Sequence, residues 1–81
     1  MAVEFAKYNI RVNAVSAGGT TTERVLKRVQ EGGISQKTLD AHLLGLVSPI
    51  DVAYAVLYLA CDESRHTTGH ILAVDSGLTI S

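Results

Sequence analysis

Along this chain the spacing of apolar and polar positions shifts between helical and strand periods, and each shift marks an element. Residues 2–7, Ala-Val-Glu-Phe-Ala-Lys, are adequate helix formers. They stop short of the roughly 12 to 15 residues that make an isolated helix even marginal in water, so residues 1–8 read as the end of a longer helix. Tyr8-Asn9 breaks the run. Ile10-Arg11-Val12-Asn13-Ala14-Val15 then alternates with the period of two expected of a strand over 10–15, with Ile10, Val12 and Ala14 on one face.

Ser16-Ala17-Gly18-Gly19 is a loop by composition, because adjacent glycines reach backbone angles closed to other residues and let a ligand approach the main chain. Thr22 or a neighbour is placed to cap a short helix through Gln30, which carries Glu23 and Lys27 outside and a narrow apolar stripe of Val25, Leu26 and Val29. Gly32-Gly33 ends that helix. Ser35 can start another with Leu39, Leu43 and Leu44 at helical spacing until Gly45. Two such short helices make a flap rather than a core layer.

The clearest signal follows. Ser48-Pro49-Ile50-Asp51 sets an N-cap serine, a proline at the first helical position and a carboxylate at the third, predicting a helix over 48–61. Its apolar stripe of Val52, Ala53, Val56, Leu57, Leu59 and Ala60 suits packing on a sheet. Thr67-Thr68-Gly69 is turn chemistry, residues 70–74 read as a short buried strand, and Asp75-Ser76-Gly77 turns away. The predicted order is a crossover unit with two parallel strands. A single full helix covers one sheet face, leaving the other face and a strand edge bare, so further protein surface must cover them.

Composition narrows the function classes. An 81-residue chain that is 47% hydrophobic supports one domain at most. Its formal charge of -1 supplies no electrostatic footprint for nucleic acid. No apolar run approaches the roughly 20 residues of a membrane span, and the amino-terminal residues lack the pattern of a signal peptide. The single cysteine, Cys61, has no partner for an intramolecular disulfide, and no Cys/His pairs stand at zinc-ligand spacing, so a reducing cytoplasm is the expected location.

Three segments occur in a fixed order: Asn9-Ile10-Arg11-Val12-Asn13-Ala14-Val15, then Leu57-Tyr58-Leu59-Ala60-Cys61-Asp62-Glu63-Ser64, then Thr68-Gly69-His70-Ile71-Leu72-Ala73-Val74-Asp75-Ser76-Gly77. Together they resemble the carboxyl-terminal third of a short-chain dehydrogenase/reductase. The resemblance implies an α/β fold, the carboxyl-terminal fragment of a Rossmann-like doubly wound parallel sheet. It also implies a nicotinamide cofactor, NAD or NADP, and a small-molecule substrate oxidised or reduced at an alcohol or carbonyl.

In that family a loop reading Pro-Gly-x-(Val/Ile/Thr)-x-Thr meets the nicotinamide carboxamide. Here Ala17-Gly18-Gly19-Thr20-Thr21-Thr22 stands in its place, making Ala17, Gly18, Gly19, Thr20 and Thr22 the implied cofactor contacts. Such a ring substituent needs both a donor and an acceptor, which backbone and hydroxyl supply together. Ala17 departs from the family's proline and predicts a less rigid loop. Residues 16–47 would form cofactor loop and substrate lid, and the last helix and strand the interface of a homo-oligomer.

Two family motifs are missing from these residues. The Thr-Gly-x-x-x-Gly-x-Gly turn that seats the cofactor phosphates has no counterpart. Nor has any tyrosine a lysine four positions on, since Tyr8 is followed by Val12, Tyr54 by Tyr58 and Tyr58 by Asp62. No catalytic residue is assigned, and the segment is expected to be inactive and not to bind dinucleotide tightly on its own. The alternative is a non-enzymatic short product that self-associates or docks on a full-length relative.

Blander roles stand beside the sharper ones. The lesser reading of Thr20 and Thr22 is ordinary helix capping and turn formation, and Gly18 and Gly19 can turn the chain while also meeting a ligand. His42, His66 and His70 read as surface or interface histidines, and the acids after Cys61 argue against a reactive thiol. Asp75 is expected to fix its own turn, and Arg11 and Asn13 to make solvent or inter-layer hydrogen bonds rather than ligand contacts.

Overall fold

The computed structural model describes residues 1–81. In chain order it contains α1 (Ala2–Phe5), β1 (Ala14–Ala17), α2 (Glu23–Gln30), α3 (Gln36–Ala41), α4 (Pro49–Ala60) and β2 (Ile71–Val74), with 3₁₀ turns at Ala6–Tyr8 and Asp62–Ser64. β1 and β2 pair in parallel, Ala14 opposite Ile71 and Ala17 opposite Val74. The unit is the expected crossover of a Rossmann-like α/β sheet.

The first strand lies further along than its alternation predicts: it runs from Ala14 to Ala17 instead of over 10–15. Opposite residues 11–13 lies the turn before β2, which is reached by side chains as well as backbone. The Thr68 hydroxyl accepts from the Val12 N–H at 3.1 Å, and Asn13 bridges the Thr67 carbonyl and the His70 N–H at 2.9 and 3.0 Å. Regular pairing begins only at Ala14, whose N–H donates to the His70 carbonyl at 2.9 Å. Ser16 and Ala17, assigned to the loop by composition, therefore belong to the strand. Before it, Asn9 ends the first helical turns in the left-handed region at φ 60.

α4 starts as its sequence dictates. Ser48 is the N-cap, Pro49 opens the first turn, and the Asp51 carboxylate accepts from the Ser48 N–H at 3.2 Å. The helix packs on both strands. Val52, Ala55 and Leu59 are its half-buried positions, facing the half-buried Val15, Leu72 and Val74. Val56 and Leu57, expected in the packed stripe, are 50% and 63% exposed, because one helix needs only a narrow strip to cover two strands.

Arg11 closes the other end of α4. Its Nη1 donates to the Leu59 carbonyl at 2.8 Å and the Ser64 hydroxyl at 3.0 Å, and its Nη2 to the Cys61 carbonyl at 3.3 Å. A guanidinium there satisfies the Leu59 carbonyl, which the end of the helix leaves without an intrahelical donor, and complements the negative end of the helix dipole. The inter-layer role expected for Arg11 and Asn13 thus has a concrete form.

α3 is shorter than its leucine spacing predicts. It ends at Ala41, and His42 leaves the helix at ψ 88. Leu43 and Leu44 lie beyond it because their amides turn to Ser76, donating to its carbonyl at 2.7 Å and its hydroxyl at 2.6 Å. Neither α2 nor α3 packs on another helix or strand. No helix is long and apolar enough to cross a membrane.

Candidate functional site

At the carboxyl end of β1, Gly18 and Gly19 let the chain pass close to its neighbours. The Gly18 N–H continues the ladder, donating to the Val74 carbonyl at 3.0 Å. A Cβ on Gly18 would lie 2.9 Å from the Asp75 Cα, so a side chain is sterically barred. Gly19 is crowded from the other side, its notional Cβ 3.0 Å from both His42 Nε2 and Leu46 Cδ2.

The loop then meets the far end of the flap. Thr20 and Val47 form a parallel bridge, in which the Val47 N–H donates to the Gly19 carbonyl and the Thr21 N–H to the Val47 carbonyl, both at 2.8 Å. Val47 is the one buried hydrophobic residue of the molecule. The Thr20 hydroxyl donates to the Gly18 carbonyl at 3.0 Å, and the Thr22 N–H to the Thr20 carbonyl at 2.7 Å. The Thr22 hydroxyl accepts from the Val25 N–H at 3.3 Å, capping α2.

Of the amides from Gly18 to Thr22, only that of Thr20 has no protein partner. The Thr22 hydroxyl proton is also unassigned, since the cap uses the oxygen as acceptor. One backbone donor and one hydroxyl donor therefore stand two residues apart at the carboxyl end of the parallel strands, the position where open α/β sheets hold their ligands. Gly18, Gly19, Thr20 and Thr22 come together there. Ala17 lies in the strand beneath, opposite Val74.

His42 is not the surface or interface histidine that its sequence context suggests. It is 5% exposed; its Nε2 accepts from the Gly19 N–H at 2.8 Å, and its Nδ1 lies 2.8 Å from the Thr38 carbonyl. No sequence pattern marks this contact, because it spans 23 residues and depends on the Thr20–Val47 bridge folding the flap back. Ser76, which receives the Leu43 and Leu44 amides, was hidden in the same way.

Asp75 fixes its own turn, as expected. Its carboxylate accepts from the Gly77 N–H at 3.1 Å, from the Thr79 N–H at 3.3 Å and from the Thr79 hydroxyl. The hydroxyl, followed by the two amides, holds the Asp75 carboxyl below the ordinary carboxylate range against the opposing effect of desolvation. No group of three or more His, Cys, Asp or Glu side chains could hold a metal ion.

The sequence profile of a family described as Enoyl-(Acyl carrier protein) reductase matches residues 1–79. The chain is 37% identical over 82 residues to the short chain dehydrogenase/reductase astE of Aspergillus oryzae, an alignment covering 98% of this chain and 31% of that protein. Among solved structures, a 4-hydroxyisoleucine dehydrogenase complexed with NADH superposes with a TM-score of 0.88 at 32% identity, over 100% of this chain and 34% of that one. An NADPH-bound short chain oxidoreductase from Pseudomonas aeruginosa PAO1, containing an atypical catalytic center, does so with a TM-score of 0.77 at 32% identity and the same coverage. The chain spans about a third of the length of these relatives. Sequence and fold agree along its whole length, and the chain belongs to the short-chain dehydrogenase/reductase family.

Proposed function

We propose that these residues form the nicotinamide end of an NAD(P)-dependent oxidoreductase acting on an alcohol or carbonyl. The observation that carries this reading is the unpaired Thr20 amide, two residues before the Thr22 hydroxyl in a loop whose other amides are all engaged. A carboxamide fits such a pair, its oxygen accepting from the Thr20 N–H and its amide group meeting the Thr22 oxygen. The bound nicotinamide would supply hydride chemistry. The role of this chain is to fix the ring's orientation and, through residues 20–47 as a lid, to exclude water.

Structures of similar proteins with NADH or NADPH bound support the cofactor class. Phosphate seating and proton donation fall to residues outside these 81, since neither family motif occurs among them. The segment alone is inactive in this reading, and α4 with β2 contributes the contact of a homo-oligomer. The intact mass of the natural gene product, followed by cofactor binding, tests the proposal. A mass roughly three times 8.6 kDa is expected. In that protein, Thr20→Pro, which removes the amide proton, should weaken NAD(P)H binding about tenfold. A product of 8.6 kDa that binds neither cofactor would overturn the enzymatic reading.

A second reading is favoured by one observation. Tyr54, Leu57 and Ile71 are all more than 60% exposed, which suits a non-enzymatic short product that pairs with itself or docks on a longer relative. A small, stable oligomer of 8.6 kDa chains would favour it.

A further inference from the structure

We infer that His42 is a positioning residue, a latch that holds the cofactor loop in its ligand-ready form and ties the flap down upon it. This rests on the reading of residues 18–22 as the nicotinamide contact. The ring sits between two fixed partners: Nδ1–H must donate to the Thr38 carbonyl, which can only accept, and Nε2 must accept from the Gly19 N–H, which can only donate. A single state of the ring satisfies both, the neutral tautomer protonated at Nδ1.

The consequence falls on the loop. With the Gly19 amide taken by the imidazole, Thr20 is left as the one free backbone donor, so the latch selects which amide a ligand meets. It also explains why residue 19 is glycine. At 3.0 Å from Nε2, a Cβ would crowd the ring, which would have to give by a few tenths of an ångström. The latch reinforces the Thr20–Val47 bridge and the Leu43 and Leu44 bonds to Ser76, which hold the same flap.

A hydrogen on Nε2 would face the Gly19 N–H donor against donor, so the two partners select the Nδ1–H tautomer. No carboxylate pairs with the ring. Asp40 on α3 is held by Gln36 at 2.8 Å, Asp51 by the Ser48 N–H at 3.2 Å, and Asp75 by Gly77 and Thr79, while Lys37 shares α3 with Asp40. The molecule's one ion pair joins the Met1 amino group to Glu4.

The test uses the intact natural gene product, labelled with ¹⁵N. Long-range proton–nitrogen spectra are expected to show the Nδ1–H tautomer of His42, and hydrogen exchange to show a protected Gly19 amide. His42→Ala should speed Gly19 exchange about tenfold, while leaving Gly18, which bonds to Val74, unchanged. His42→Gln offers an acceptor at the Nε2 position and should restore protection. The same alanine variant should raise the KM for NAD(P)H more than it lowers kcat.

Equal Gly19 protection in the parent and His42→Ala proteins, or no rescue by glutamine, overturns the latch. Loss of protection with no change in KM keeps the latch and instead removes the cofactor reading of the loop.

Discussion

Gly18 has no space for even a methyl group, because the backbone of Asp75 passes beneath it at 2.9 Å from a notional Cβ. Gly18→Ala must therefore move one strand end against the other. It is expected to destabilise the assembled protein by about 1–3 kcal/mol, an overpacking effect larger than the gain from a stiffer unfolded chain; thermal unfolding of the two proteins measures it. Asp75 makes a second prediction, in pH. Its carboxyl is held low by the Thr79 hydroxyl and the turn amides. Its contribution is therefore fully present above the unfolded pKa of about 3.9 and is lost as pH falls through the lower folded value. Stability measured downward from about pH 5 should drop less steeply in Asp75→Asn than in the parent protein. At this scale the sequence was partly readable. Asp75 next to Ser-Gly announces a side chain bonded to its own turn, whereas the burial of His42 depends on contacts no local pattern encodes.

Arg11 acts at the scale of elements, joining β1's approach to the end of α4. Arg11→Lys keeps the charge but loses the fork that reaches the Leu59 and Cys61 carbonyls together. A loss of about 1–3 kcal/mol is expected, with faster amide exchange confined to the last turn of α4; uniform exchange along the helix would contradict the capping role. The start of α4 was legible because serine, proline and aspartate each act on the first turn alone. The limits of β1 and α3 were not. Alternation at residues 10–13 records side chains reaching across to the Thr67–His70 turn, and the leucines after α3 follow amides that bond to Ser76.

The whole molecule exposes more than a compact protein of its mass. Its accessible surface is 6101 Å², against about 4,700 Å² expected for a folded monomer of that mass. The radius of gyration is 15.5 Å, against about 12 Å expected for that length. Only Val47, His42 and Ser64 are buried. An isolated 81-residue chain is accordingly expected to bind a dye such as anilinonaphthalene sulfonate and to melt without a sharp transition. A steep two-state melt with no dye binding would contradict this. The bare sheet face was foreseeable from counting one full helix against two strands. The Thr20–Val47 bridge was not, and it reaches beyond stability. Because the chain between these residues leaves and returns at one bridged pair of residues, the length of the segment can change there without a shift in the β1–β2 register. Doubling such a loop adds only about 0.6 kcal/mol to the free energy of closing it. The segment is thus an exchangeable cassette with a fixed seam, open to replacement by longer or shorter inserts while the strands on either side keep their places.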